Sequence, residues 1–268
     1  MVVSTLTDDV LSDSLQSRGP SVDSLRILGS RVDIVDKNDA LRRIHDFAET
    51  RFAHHVITAN TLMCLEAQDD AELRQIIEQA ALVVPESWGI CWASRLGLRP
   101  LKHFLPGIDL MTALCDAAAR AGQSIFLLGA KPGVAAEAAR ALAARFPGLT
   151  VAGAHHGYFA GEQEADAVRA IRNAHPAYLF VGLSVPHQEQ WIAAHLDELG
   201  VPVVMGVGGS FDVLSGRLRR APLWMRRLGL EWAYRTWQEP WRWRRILNLP
   251  VFMWKVWRQR GTLSAAGQ

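Results

Sequence analysis

The sequence contains only three cysteines in 268 residues and has no long apolar run. Cys64, Cys91 and Cys115 show no Cys-x-x-Cys spacing, which argues against a cysteine metal site and indicates buried free thiols in a reducing compartment. The histidines also lack a spacing typical of metal ligands, so we expect no metal and no cofactor. Nowhere do about eighteen apolar residues follow one another, so no segment is expected to span a bilayer.

The first residues, MVVSTLTDDVLSDSLQSRGPSVDS, lack the features of a secretory signal peptide. They contain two early aspartates, no basic start and no apolar central stretch. This composition is typical of a flexible tail over residues 1–24. We therefore expect a cytoplasmic protein, peripheral on the inner membrane if it binds membranes at all.

Charge is distributed unevenly, although the net charge is only +2. Between Arg217 and Arg260 there are twelve Arg and Lys residues against two acids, so this part carries +10 and the remainder −8. The same part holds seven of the ten tryptophans. A basic, tryptophan-rich end suits the headgroup region of an anionic membrane, and nucleic acid is the alternative partner.

Short apolar runs alternate with amphipathic stretches of helical length from Leu25 onward. This alternation predicts the α/β class, a mostly parallel sheet with helices on both faces, over residues 25–216. With 49% hydrophobic residues, the chain has enough apolar surface for a full core. The predicted strands lie in HHVITAN, ALVVPES, SIFLLGA, LTVAGAH, AYLFVGL and VPVVMGVG.

Helix boundaries are indicated by capping residues and by periodicity. Asn38 is predicted to cap the helix in NDALRRIHDFAETR. Leu73, Ile76 and Ile77 fall on one face of the helix in DDAELRQIIEQA. Pro132-Gly133 is predicted to open the alanine-rich helix GVAAEAARALAARF.

Residues 217–268 are predicted to form a helical appendage rather than another strand–helix unit. In PLWMRRLGLEWAYRTWQE, Trp224, Leu228 and Trp232 fall four residues apart and predict one apolar stripe on a single helix. Glu231 and Arg235 have the spacing of an ion pair on that helix.

Polar residues and glycines follow several predicted strands. In a parallel sheet these strand ends meet in one crevice, where ligands bind. Each feature also has a structural interpretation: Glu86 could belong to a solvated turn, and Glu189 is an acid of the kind that first helical turns favour. The residues at the strand ends are Thr58, Asn60, Glu86, Ser87, Gly129, Ser184, His187, Gln188, Glu189 and Asp212.

Two glycine-containing turns could hold a diphosphate. GAKPG, which includes Gly129, precedes a helix and leaves backbone N–H groups free, although a simple tight turn is the favoured interpretation of this segment alone. It lacks the third glycine of a dinucleotide fingerprint and the Gly-Lys-Ser/Thr of a P-loop. In GVGGSFD, Asp212 can accept hydrogen bonds from a sugar or a base.

In VPHQEQW, the Gln188 amide suits sugar hydroxyls or a uracil edge, and Trp191 is predicted to lie in the core.

The ordered motifs resemble the bacterial WecG/TagA/CpsF glycosyltransferase family. The residues that carry the resemblance run from about Leu25 to Trp257. They are TANTLM, VVPESWGICWASR, PGIDLM, LLGAKPGVAAEAARAL, HGYF, LFVGLSVPHQEQWI and GVGGSFDVLSGRLRRAPLWMRRLGLEWAYRTWQEPWRWRR.

The resemblance implies an inverting, metal-independent transferase with a Rossmann-like core and a membrane-targeting appendage. Its substrates would be a UDP-sugar donor and a polyprenyl-diphosphate-linked sugar acceptor on the cytoplasmic leaflet. The family's Pro-Asp-Gly base motif reads Pro85-Glu86-Ser87 here, so Glu86 is the expected base. The other matched positions are Thr58, Asn60, Tyr158, Gln188, Glu189 and Asp212 in the substrate pocket, and Arg235, Arg242 and Arg245 toward the lipid diphosphate.

Four positions in three segments depart from the family pattern. Glu86-Ser87 replaces Asp-Gly, His103 replaces an arginine, and His187 replaces a lysine. These departures lie at the implied sugar pocket, which favours a hexosyltransferase of exopolysaccharide synthesis over an N-acetylmannosamine (or its uronic acid) transferase, the alternative within the family.

Two other classes of protein remain as alternatives. A Rossmann-type oxidoreductase is disfavoured by the incomplete glycine fingerprint. A non-catalytic membrane or nucleic-acid binder would use the basic end, but a nucleic-acid binder would need a basic face on the acidic core, so we expect no nucleic-acid partner. A tryptophan-rich surface also suits contact with a second copy of the chain in a homo-oligomer.

Overall fold

The computed structural model describes residues 22–97 and 99–259, and eight strands lie within these residues. The tail predicted over residues 1–24 falls almost wholly outside them. The strands are β1 Ser24–Ile27, β2 Ser30–Asp33, β3 His54–Ala59, β4 Leu82–Pro85, β5 Ser124–Gly129, β6 Thr150–His155, β7 Tyr178–Gly182 and β8 Val203–Gly206.

Six of the strands form one parallel sheet in the order β4-β3-β8-β7-β5-β6. They are the six apolar runs of the sequence, so the predicted Rossmann-like α/β fold is confirmed. The antiparallel hairpin of β1 and β2 was not predicted. Its Asp33 carboxylate is buried and accepts a hydrogen bond of 2.8 Å from the N–H of Val83, which joins the hairpin to β4.

Nine helices of the described chain precede the appendage. The first begins at Lys37, and its cap is Asp36, whose carboxylate accepts from the N–H of Asp39 at 2.8 Å, so the prediction of Asn38 as the cap is wrong. The helices are α1 Lys37–Ala48, α2 Thr61–Asp69, α3 Ala71–Gln79, α4 Trp88–Ser94, α5 Gly107–Ala121, α6 Val134–Arg145, α7 Glu162–Ala174, α8 His187–Leu199 and α9 Ser210–Leu214.

Helices cover both faces of the parallel sheet. Ile44 of α1 and Leu114 of α5 pack on one face, in a cluster that also contains Phe180 of β7. Ile192 of α8 packs on the other face, and Trp191 is buried beside it, as predicted. All six residues of β3 are buried, so its carboxyl end emerges directly from the interior into the crevice.

The described part of the appendage is a set of short helices. They are α10 Leu223–Arg227, α11 Glu231–Gln238, a 3₁₀ turn Pro240–Arg242, α12 Trp243–Ile246 and α13 Asn248–Arg258. Within PLWMRRLGLEWAYRTWQE, the prediction of a single helix is wrong, because the chain turns at Gly229 with a φ of 71°. A Cβ atom at Gly229 would lie 2.6 Å from Trp88, so only glycine permits this close contact with α4.

The last helix packs against the core through one face and exposes the other. Phe252 and Val256, four positions apart, are fully buried in the cluster that contains Leu65 and Ile90. Val251, Trp254 and Trp257 are exposed. Within the described residues, no helix is both long and apolar enough to cross a membrane.

Candidate active site

Glu86 follows β4 and lies half-buried at the carboxyl end of the parallel sheet. Its backbone N–H donates to the carbonyl of Ala59 at 2.9 Å, which continues the pairing of β3 and β4 beyond the strand. One carboxylate oxygen, Oε2, accepts from Nδ2 of Asn60 at 3.1 Å. The other, Oε1, accepts from the backbone N–H of Gly107 at 3.3 Å. Two neutral donors thus fix the carboxylate.

Burial raises the pKa of Glu86 above its ordinary value. The hydrogen bonds from Asn60 and Gly107 act in the opposite direction, as does the positive charge of Arg235, whereas the carboxylate of Glu189 adds to the rise. A carboxyl group with a raised pKa at a ligand crevice is suited to accept a proton from a substrate hydroxyl.

Asn60 owes its orientation to the helix that it caps. Its Oδ1 accepts from the N–H groups of Leu62 and Met63, both at 3.1 Å, at the start of α2. Because the oxygen is occupied in this way, the amide nitrogen is directed at Glu86. The same Asn60 side chain therefore caps α2 and holds the Glu86 carboxylate in place.

Thr58 and Gly107 complete the surroundings of Glu86. The buried Thr58 hydroxyl donates to the carbonyl of Gly206 at 3.2 Å, joining the ends of β3 and β8. Gly107 begins α5, and a Cβ atom there would lie 3.1 Å from Oε1 of Glu86 and 3.5 Å from Cγ2 of Thr58. Glycine lets the helix terminus approach the carboxylate closely, and the sequence alone did not single out this residue.

Gln188 and Glu189 lie in the first turn of α8 and are both buried. Gln188 Oε1 accepts from the N–H of Gly208 at 2.8 Å, and Nε2 donates to Glu189 Oε1 at 2.7 Å. The other oxygen of Glu189 lies 2.7 Å from Nε2 of His55. This network connects the start of α8 and the strand β3 to the turn after β8. The two side chains therefore shape the crevice, and direct contact with a substrate stays a prediction.

Gly129 ends β5 and allows two strand ends to touch. A Cβ atom there would lie 2.4 Å from the carbonyl oxygen of Gly182, on β7. The turn then leads to α6, which begins after Gly133 and has no side-chain cap. The first-turn amides of α6 are thus not bonded to a capping side chain, as a docking site for a diphosphate requires.

The remaining predicted pocket residues differ in exposure. Tyr158 follows β6 and is 62% exposed. His103 is exposed in the loop between α4 and α5, and Asp212 is half-buried in the first turn of α9. Their roles in binding stay predictions.

The appendage contributes Arg235 to the crevice. Its Nη2 donates to the carbonyl of Gly209 at 3.2 Å, in the turn after β8. The predicted pair of Glu231 with Arg235 is wrong: Arg235 approaches Glu239 at 3.7 Å, and Glu239 also binds Arg242 at 2.7 Å. Arg245 lies in α12, and its side chain falls outside the part that the structure describes.

Among residues 22–97 and 99–259, no group of three or more His, Cys, Asp or Glu side chains is arranged to hold a metal ion. The three cysteines are free and buried, and burial raises the pKa of each thiol, to about 12 for Cys64. Their packing is that of small apolar side chains.

The fold places the chain in the class of Rossmann-like α/β proteins. At the carboxyl ends of its parallel strands, the Glu86 carboxylate is fixed by two hydrogen bonds. The sequence profile of the Glycosyl transferase WecG/TagA/CpsF family matches residues 25–266. The chain belongs to this family, and the resemblance in its motifs is confirmed.

Curated relatives agree with the family match. The chain is 36% identical over 211 residues to the N-acetylglucosaminyldiphosphoundecaprenol N-acetyl-beta-D-mannosaminyltransferase of Staphylococcus aureus strain MW2, which covers 79% of this chain and 82% of that protein. The protein of the same name from strain NCTC 8325 / PS 47 shows the same identity and coverage.

Proposed function

We propose that the protein transfers a sugar from a UDP-sugar to a polyprenyl-diphosphate-linked sugar, with Glu86 as the base. The observation that carries this proposal is the half-buried Glu86 carboxylate, held by Asn60 and Gly107 where the parallel strands end. Membership of a glycosyltransferase family supports the type of reaction.

In the proposed step, a hydroxyl of the acceptor sugar attacks the anomeric carbon of the donor. The new C–O bond forms as the bond from that carbon to the UDP oxygen breaks, and the hydroxyl proton passes to Glu86. A single displacement of this kind inverts the anomeric configuration. The raised pKa of Glu86 supports the role, because a base is most effective when its pKa is near the working pH.

Leaving-group charge on the diphosphate would be stabilised by the uncapped start of α6 and by Arg235. The start of α6 follows β5, and the turn that Arg235 contacts follows β8. Both therefore lie at the carboxyl ends of the parallel strands. We therefore propose metal-independent transfer, and activity should persist in EDTA.

The identity of the transferred sugar is a finer question. The names of the relatives support an N-acetylmannosaminyl group, with an N-acetylglucosaminyl-diphosphate-lipid as acceptor, more than the hexose favoured by the sequence. The hexosyl donor stays as the second candidate because Glu86, Ser87 and His103 replace the residues that the family pattern has at the sugar pocket.

The exposed side of the appendage supports a location at the membrane surface. Large apolar side chains are exposed there beside basic ones, and Arg258 lies 5.1 Å from the ring centre of Trp254. Tryptophan and arginine together suit the headgroup layer of an anionic leaflet. The exposed set is Leu223, Trp224, Leu228, Trp232, Trp237, Trp241, Trp243, Leu247, Val251, Trp254 and Trp257.

A UDP-release assay tests the proposal. The full chain is incubated with a panel of UDP-sugars, including UDP-N-acetylmannosamine and UDP-glucose, and with polyprenyl-diphosphate-linked N-acetylglucosamine or hexose acceptors. We expect acceptor-dependent release of UDP, greatest with the N-acetylmannosamine donor and unchanged by EDTA. Release with none of the pairs would contradict the proposed reaction, and dependence on a divalent ion would contradict its metal independence.

A further inference from the structure

Arg220 joins two separate parts of the chain through one guanidinium group. Its Nη1 and Nη2 each donate to one oxygen of Asp109 at 2.6 Å, and its Nε donates to Oε1 of Glu231 at 3.2 Å. The Arg220 side chain is only 22% exposed. A two-pronged contact of this geometry fixes direction as well as distance, which lysine cannot reproduce.

Each acid lies close to a group that faces Glu86. Asp109 is in the first turn of α5, two residues after Gly107, whose N–H donates to Glu86. Glu231 begins α11, four residues before Arg235, whose guanidinium reaches the turn after β8. Arg220 therefore ties together the two elements that approach Glu86 from outside β3 and β4.

An arginine pair on the surface of a single helix has a different character. Arg120 pairs with Asp116 four positions earlier on the surface of α5, and both side chains are largely exposed. Such pairs contribute little, because water and salt screen them. In contrast, Arg220 and Asp109 are 111 positions apart in the chain and partly shielded. Burial tends to lower the pKa of Arg220, but the contacts with Asp109 and Glu231 outweigh it, and the pKa is raised.

We propose that Arg220 is a positioning residue for the transfer reaction: it sets the start of α5 and the appendage helix α11 around Glu86. This inference rests on the proposed function, since it assumes that Glu86 and Arg235 act on the reacting groups. Arg220 itself need not touch a substrate.

The first test compares Arg220→Gln with Arg220→Lys and with the matched surface variant Arg120→Gln. Misplacement of a reacting group by about 1 Å can lower rates about a hundredfold, so we expect kcat of Arg220→Gln to fall by about ten- to a hundredfold. KM for the UDP-sugar should stay close to that of the unmodified protein. Arg220→Lys should be intermediate and Arg120→Gln unchanged. A kcat of Arg220→Gln equal to that of Arg120→Gln would overturn the proposal.

A double-mutant cycle with Arg235→Gln separates positioning from general loss of stability. If Arg220 acts through Arg235, the double variant should be little slower than Arg235→Gln alone, because the interaction has already been lost. Fully additive effects on kcat would overturn this part of the proposal. Where Arg220→Gln does not fold, Glu231→Gln, of nearly the same shape, replaces it in the cycle, because Glu231 lies on the helix that carries Arg235.

Hydrogen exchange distinguishes the inference from the proposed function. Amides of residues 231–238 should exchange faster in Arg220→Gln than in Arg120→Gln, whatever reaction the protein catalyses. Equal exchange would overturn the positioning role. A different outcome is faster exchange in Arg220→Gln combined with full transferase activity of Glu86→Gln. That outcome would contradict Glu86 as the base, but it would still support the role of Arg220 in holding α11.

Discussion

The crevice and the appendage approach Glu86 with different chemistry. From the crevice, Asn60 and Gly107 donate hydrogen bonds to the carboxylate as neutral groups. From the appendage, Arg235 acts through its charge while it donates to the carbonyl of Gly209. Neutral donors determine where the carboxylate lies, and a nearby cation changes how readily it holds a proton. The crevice therefore fixes the position of the carboxylate, and both regions lower its pKa against the rise that burial causes.

Removing the proton acceptor from the crevice should have the largest effect. In Glu86→Gln the side chain keeps nearly the same shape but cannot take a proton, so kcat in the UDP-release assay should fall by about 10²- to 10⁴-fold. Binding of UDP, measured by calorimetry, should be largely unchanged. Near-normal turnover would remove Glu86 from the role of base.

Removing the buried Phe252 side chain, which packs the appendage against the core, should mainly lower the free energy of unfolding. Phe252 is fully buried, and Phe252→Ala leaves a cavity, so the free energy of unfolding should fall by about 3–5 kcal/mol. The adjacent Val251, which is 45% exposed, provides the matched control, and Val251→Ala should change stability by no more than about 0.5 kcal/mol. Urea unfolding measures both. Similar small losses in the two variants would mean that α13 is not part of the folded core.

The sequence predicted the sheet and the strand ends well because these depend on local patterns. Each of the six parallel strands is a short apolar run, and Glu86 follows one of them directly. The β1–β2 hairpin was missed because its strands, SLRI and SRVD, are only four residues long and SRVD contains a single apolar residue. The family resemblance, rather than the pattern, singled out Glu86 as the base.

Contacts between distant parts of the chain could not be predicted in this way. The helix break at Gly229 depends on contact with Trp88, and the pairing of Glu231 with Arg220 replaces the local pair with Arg235. No local pattern places the N–H of Gly107, which donates to Glu86 from 21 positions further along the chain. The segment GRLRRAP contains three arginines, and only the fold shows that one of them, Arg220, binds two acids.

The exposed side of the appendage should bind anionic vesicles. Trp254→Ala should weaken binding to vesicles that contain phosphatidylglycerol by on the order of 1 kcal/mol, because less apolar surface enters the headgroup layer. Arg258→Gln should weaken it by a similar amount, and its matched control, Arg169→Gln on α7, should not. Sedimentation with vesicles measures the bound fraction. Equal binding of all variants, or binding that salt does not weaken, would contradict this role of the appendage.

The smallest expected effect concerns pH, and it tests how the two regions meet at Glu86. Because the base must be deprotonated, kcat should fall as pH drops, with a midpoint above the ordinary glutamate pKa of about 4.3. Arg235→Gln removes a positive charge that favours the carboxylate, so the midpoint should move to higher pH. Arg120→Gln should leave it in place. Asn60 and Gly107 still donate to Glu86 in both variants, and the Glu189 carboxylate still raises its pKa, so a shift in one variant alone isolates the charge of Arg235. An unchanged midpoint in Arg235→Gln would mean that the appendage does not set the proton affinity of the base.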